Sequence, residues 1–162
     1  MKKLKNQTLT EYINILSQKV PVPGGGSAAA LNGALGVSLI EMVANYSLGR
    51  SSSKRVESRI QKIIEKSKII RKRLLELVDL DAEAYLEVVK TRKASEKEKK
   101  LALKAACDVP KEVGELCQKA MGLTSFLVEH GNKYLVSDIE VAIEMLFAAF
   151  KAAHINIKVN QS

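Results

Sequence analysis

The stretch KRVESRIQKIIEKSKIIRKRLLELVDLDAEAYLEVVK, residues 54–90, decides the fold. Along it Val56, Ile60, Ile63, Ser67, Ile70, Leu74, Leu77, Asp81, Ala84 and Val88 recur in alternating steps of four and three. That spacing lays one stripe along an α-helix. No proline or glycine interrupts it, so one helix is predicted over 54–90, about 50 Å long at 1.5 Å per residue. Such a helix is long for a chain of 162 residues. Part of its stripe is expected to pack on a second copy of the chain, giving a homo-oligomer. One member of the seam is out of place. Asp81 sits where an apolar side chain is expected, and a buried carboxylate must find donors or shift its pKa. Two readings stand for it: a functional carboxylate, or one half of a salt bridge between helices.

Working outward, Thr8 and Glu11 have the spacing of a capping box, which opens a first helix from Leu9 to about Lys19. Pro21-Val22-Pro23-Gly24-Gly25-Gly26 ends it, and Ser27 to Leu48 reads as a second helix, followed by a loop at Gly49 to Ser53. Beyond the long helix, Ser95 and Glu98 open a fourth, running to about His130 with an interruption expected at Pro110 and a left-handed cap at Gly131. Ser137 and Glu140 make a third capping box, starting a last helix that reaches about Val159. No period-two strand pattern occurs. The expectation is an all-α fold: one domain over 1–162, an antiparallel bundle of about five helices, one of them long, dimeric, with the second helix near or in the interface.

Composition agrees. Apolar residues make up 46% of the chain, enough for a globular core, while aromatics are only 4% and Trp is absent, which leans towards helix. The net charge of +8 favours an acidic partner: nucleic acid, an acidic membrane or a polyanionic small molecule. The basic residues are interspersed with acids, as in Arg55 to Arg73 and Lys90 to Lys104, and this is how solvated helix faces look. A dedicated polyanion site is therefore the second reading, and a nucleic-acid binder without aromatic stacking platforms is the weakest. Cys107 and Cys117 lie about 15 Å apart along one helix, too far for a disulfide. The amino terminus has no apolar run of the kind a secretory signal needs. The Val20–Leu48 stretch carries Pro21, Pro23, Asn32, Glu41 and Asn45, which argues against a membrane span. A cytoplasmic protein is expected.

Chemistry could sit at few places. Between Val20 and Gly49 the only charged side chain is Glu41, so the second helix is buried centrally or in an interface. Gly24-Gly25-Gly26-Ser27 puts flexible backbone donors at its start, where the helix dipole attracts anions or polar carbonyls. Gly33 and Gly36 inside it are explained most simply by tight helix contact. Asp138, in the first turn of the last helix, either complements the dipole or acts chemically. Asn156 and Asn160 lie one turn apart and could hydrogen-bond an amide-rich ligand or each other. With two histidines, His130 and His154, no metal-ligand cluster is visible and no nucleophilic triad can be defended.

The same residues carry a resemblance. Val20 to Leu31, continued by Gly33-Ala34-Leu35-Gly36 and Met42-Val43-Ala44-Asn45, resembles the opening signature of the cyclodeaminase portion of the formiminotransferase-cyclodeaminase family. That family also includes stand-alone methenyltetrahydrofolate cyclohydrolases. Asp79-Leu80-Asp81-Ala82-Glu83-Ala84-Tyr85 resembles its mid-chain acidic motif. Val109-Pro110, Gly131-Asn132, Val136-Ser137-Asp138 and Asn156-Ile157-Lys158-Val159-Asn160 follow in family order. The chain departs from the pattern at Lys133-Tyr134 and at Ala152, and no formiminotransferase domain accompanies it, so channelling from a fused partner is not expected. The resemblance implies a folate one-carbon enzyme acting at the carbon that bridges N5 and N10 of tetrahydrofolate, with a tetrahydrofolate derivative as substrate and no metal. It opens methenyltetrahydrofolate with water, or closes formiminotetrahydrofolate with loss of ammonia. Either reaction needs a proton acceptor and a proton donor. Asp81 is the first candidate, Asp138 the second and Glu41 the third. The Gly24–Ser27 turn and Asn45 would hold the pterin or the bridging carbon, with Asn156 among the binding residues, and Arg50 and Lys158 would meet the glutamate tail. A non-catalytic helical folate-binding or interaction module is the alternative, suggested by Tyr134 and by a chain short for the family.

Overall fold

The computed structural model describes residues 3–161. The predicted long helix is present and unbroken as α3 (Lys54–Lys90), its start capped by the Ser53 side chain, which accepts from the Val56 N–H. Before it come α1 (Leu9–Leu16) and α2 (Gly25–Ser47); after it come α4 (Glu96–Met121), α5 (Thr124–His130) and α6 (Val136–Gln161). No strand occurs among the described residues. The boxes at Thr8–Glu11 and Ser95–Glu98 form as the spacing predicts.

α2 is the central helix, flanked by α3, α6 and α4. It is long and apolar enough to cross a membrane, yet more than half of it is buried inside this bundle. Its glycines are there for close approach. A Cβ on Gly33 would lie 3.0 Å from Cys117 Sγ, and one on Gly36 would lie 2.9 Å from Leu146 Cγ. The same pairs give the topology. Gly25 meets Asn156 and Gly36 meets Leu146, while Gly26 meets Asp81 and Gly33 meets Leu74, so α2 runs antiparallel to both α6 and α3. Its own chain covers most of α2, and the large apolar side chains it leaves exposed near its length are Leu35, Tyr46 and Leu48.

Several boundaries differ from expectation. α1 stops at Leu16, three residues early, and α2 starts two residues early at Gly25. The fourth predicted helix is divided, at Gly122–Leu123 rather than at Pro110. Pro110 lies inside α4 because the bond it cannot make is replaced. The Ala106 carbonyl, four residues back, accepts instead from the Asn160 side-chain amide at 2.6 Å. Gly131 is not left-handed but extended (φ −82°, ψ −171°). It is glycine for space, since a Cβ would overlap the Leu127 carbonyl and come within 3.0 Å of Ser47 Oγ. The Ser137–Glu140 box does not open the last helix. Buried Asn132 accepts from the Tyr134 N–H, a 3-10 turn follows at Lys133–Leu135, and Ser137 is already inside α6.

Candidate active site

The amino-terminal turn of α2 is where three elements meet. The Asp81 carboxylate, from α3, accepts a hydrogen bond from the Ser27 N–H at 2.8 Å. Gly26 stands beside it, and any Cβ there would overlap the carboxylate. Glycine is therefore the only residue that lets Asp81 seat on the helix end, where unsatisfied N–H groups and the dipole favour a negative group. From α6, Asn156 Oδ1 lies 3.7 Å from where a Gly25 Cβ would be, while its amide donates to the Ala152 carbonyl. Asp81 is half-buried, and burial pushes its pKa up, with the Ser27 hydrogen bond pulling the other way. The carboxylate thus holds a proton more readily than an exposed aspartate, which suits a group that takes and returns one.

Tyr12, on α1, belongs to the same constellation. It is 4% exposed, and its hydroxyl pairs with Ser27 Oγ at 3.0 Å, also buried. Burial raises its pKa first; the nearby Asp81 charge adds to the rise and the Ser27 bond opposes it. Sequence reasoning missed Tyr12. The available signal was a tyrosine beside the exposed apolar row Leu9, Ile13 and Leu16 of a helix whose one buried residue it proves to be.

Asp81 is not the deepest acid on α3. The seam read from the sequence holds through Leu77, then turns to Val78, Asp79 and Ala82. Asp79 lies off that stripe and is covered instead by the amino-terminal segment around Leu4–Asn6, which packs on this part of α3. Asp79 accepts from the Lys5 N–H at 3.4 Å, and its other oxygen, though buried, meets no donor among the described residues. The salt-bridge reading of Asp81 finds no support: its hydrogen-bond partner is backbone, not a cation.

The other sequence candidates lie away from this turn. Glu41 is about 21 Å along α2 from Ser27, and Arg71 forks onto it at 2.7 and 3.3 Å. Asn45 turns its amide back to the Glu41 carbonyl, and Arg50 is exposed just beyond the helix end. Asp138, in the first turn of α6, is about 27 Å along that helix from Asn156. Lys158 follows Asn156 by two residues and is exposed. One chain therefore joins Gly24, Gly25, Gly26, Ser27, Asp81 and Asn156, and leaves Glu41, Asn45, Arg50 and Asp138 towards the far end. Cys107 and Cys117 are unbridged. Among the described residues no group of three His, Cys, Asp or Glu side chains could hold a metal ion.

Fold and site together define a small helical protein with a half-buried carboxylate seated on a helix amino terminus. The chain belongs to the formiminotransferase-cyclodeaminase family, whose model matches residues 8–162. It is 33% identical to the methenyltetrahydrofolate cyclohydrolase of Methylorubrum extorquens, over 96% of this chain and 79% of that protein. It is 29% identical to the formimidoyltransferase-cyclodeaminase of Gallus gallus, over 98% of this chain but only 31% of that much longer protein. The crystal structure of formiminotetrahydrofolate cyclodeaminase from Thermotoga maritima superposes with a TM-score of 0.94 at 32% identity, covering 98% of this chain and 80% of that one.

Proposed function

We propose that this protein is a folate one-carbon enzyme acting at the carbon between N5 and N10 of tetrahydrofolate, as a methenyltetrahydrofolate cyclohydrolase or a formiminotetrahydrofolate cyclodeaminase. One observation carries the reading: in a chain of this family, the Asp81 carboxylate sits on the Gly25–Ser27 turn with its proton affinity raised by burial. In hydrolysis, Asp81 takes a proton from the water that attacks the methenyl carbon. It returns that proton to N5 as the carbon–N5 bond breaks, while the hydroxyl of the tetrahedral carbon loses its own proton to solvent, leaving the formyl group on N10. In cyclodeamination the attacking atom is N10 and the substrate is the protonated formimino group. The N10 proton goes to Asp81 and from there to the amino group, which departs as ammonia as the carbon–nitrogen bond breaks. Both routes pass through a tetrahedral carbon bearing nitrogen, so one carboxylate serves either. The Gly24–Gly26 backbone and Asn156 offer hydrogen bonds to the polar edge of the pterin, and Lys158 a positive charge to the glutamate tail.

A homodimer is part of this reading. Leu35 on α2 and Val141, Phe147 and Ile155 on α6 are exposed on two helices that pack side by side. Covering them with a second copy would remove apolar surface from water. A second copy would also be the route by which Glu41, Asn45, Arg50 or Asp138 could approach an Asp81 turn. We take the enzyme to be cytoplasmic, a place that two unbridged cysteines suit. The deciding experiment offers the purified chain methenyltetrahydrofolate and formiminotetrahydrofolate separately, following loss of the methenyl absorbance and release of ammonia. The faster reaction names the enzyme, and no turnover of either by folded protein rejects the reading.

A further inference from the structure

A groove of about 330 Å³ opens between the first half of α3 and the α4–α5 break, away from the Asp81 turn. Four cations of α3 line it: Arg55, Arg59, Lys62 and Lys66. They form a row about 16 Å long, and its nearest member lies about 22 Å along the helix from Asp81. None of the four makes an ion pair among the described residues. The contrast with the next stretch of the same helix is informative. There Arg73 faces α4 as well, but α4 supplies Glu112 at 2.7 Å and α3 itself supplies Glu76 at 2.9 Å. At the groove the facing wall is Gly122, Leu123 and Phe126, with no carboxylate. The acids interspersed in this segment are engaged elsewhere. Glu57 accepts from the Gly49 and Ser51 N–H groups, and Glu65 accepts from the Gln61 amide. Folding has sorted an alternating sequence into an uncompensated basic row.

The row has a partly apolar floor. Ile63, Leu123 and Phe126 line it, and the Arg59 guanidinium lies 5.2 Å from the Phe126 ring centroid, which holds that fork in place. Ser58 adds a hydroxyl. Two guanidinium forks and two ammonium groups in line suit successive phosphates, and the floor suits an attached organic moiety. The volume matches a small-molecule site. We propose that this groove is a binding site for an organic oligophosphate, separate from the carboxylate site and independent of its assignment.

The test is calorimetric titration of the full chain with magnesium-free ATP and with inorganic tripolyphosphate at about 20 mM salt, where surface charges are weakly screened. Saturable binding of ATP is expected, weakening as salt rises. Tighter ATP than tripolyphosphate assigns affinity to the floor as well as the row, and equal affinities assign it to the phosphates alone. The Arg59→Ala/Lys62→Ala double variant, with melting checked to be unchanged, should bind both anions at least about tenfold more weakly. Binding by the Asp81→Asn variant should stay the same. The proposal is overturned if ATP shows no saturable binding, or if the double variant binds as wild type does. It is equally overturned if Asp81→Asn abolishes binding, which would place the anion in the carboxylate site, or if a single-stranded oligonucleotide binds through the same residues more tightly than ATP.

Discussion

Asp81, Gly26 and Tyr12 form one unit, and each makes a separate prediction. Asp81 holds a backbone N–H and no cation, so Asp81→Asn strands no buried charge. Turnover should fall about 10²–10⁴-fold, the usual loss for one general acid or base, while the melting temperature changes little. Folate turnover and differential scanning calorimetry on the same preparation check both halves. A variant that melts much earlier but keeps full specific activity would return Asp81 to the scaffold. Gly26→Ala acts through displacement, since its methyl group would claim the space of the carboxylate. We expect turnover to drop by about 10², the scale that small misplacements of reacting groups produce. Tyr12→Phe removes the partner of a buried Ser27 hydroxyl. Chemical denaturation should show a loss of about 1–3 kcal/mol, the cost of an unsatisfied buried polar group.

At the scale of elements, α4 shows a local rule overridden from a distance. A proline inside a helix removes one hydrogen bond and orphans a carbonyl. Here α6 supplies the missing donor through Asn160. Asn160→Ala should therefore cost about 1 kcal/mol in urea unfolding, with Pro110 in place. If Pro110→Ala restores the backbone donor, the same Asn160 substitution should cost much less. A double-mutant cycle that shows no coupling between the two positions would contradict this account. The actual break, at Gly122–Leu123, matters more for the molecule, since it shapes the wall opposite the basic row of α3.

Over the whole molecule, charge and shape set the response to pH and concentration. Glu57, Glu76 and Glu98 are all held below the ordinary value of 4.5: Glu57 by the Gly49 and Ser51 N–H groups, Glu76 by Arg73, and Glu98 by Ser95. A depressed carboxylate contributes stability that is present above its unfolded pKa and is lost as pH falls through its folded one. Melting temperature should therefore decline below about pH 4.5, and Glu57→Gln should flatten part of that decline. Asp81, shifted upwards, works in the opposite sense and does not add to acid unfolding. The exposed apolar side chains of α2 and α6 predict association. Sedimentation equilibrium should find a dimer at micromolar concentration, and Leu35→Glu should shift it to monomer while circular dichroism stays helical.

The helices were legible in the sequence because their causes are local. The period of α3, the Thr8 and Ser95 boxes and the breaker run before α2 each act within a few residues, and α3 has the predicted bounds. The Gly24–Ser27 turn and Asp81 were legible as candidates too, one by its break in the helix and one by its misfit in the seam. What brings them together was not. Gly26 is glycine because of a carboxylate 55 residues later in the chain, and Ser27 is buried against a tyrosine 15 residues earlier. Neither relation leaves a periodic trace. The same holds for Pro110, whose helix survives through an amide 50 residues on, and for Gly131, which is glycine because Ser47 and the Leu127 carbonyl leave no room for a side chain. Charge behaves likewise. The sequence determined how many cations α3 carries, but only the packing of α4 and α5 decided that Arg73 meets carboxylates while Arg55, Arg59, Lys62 and Lys66 face none. Local periodicity chooses an element and its apolar face; which side chains on that face find partners depends on contacts between segments far apart in the chain.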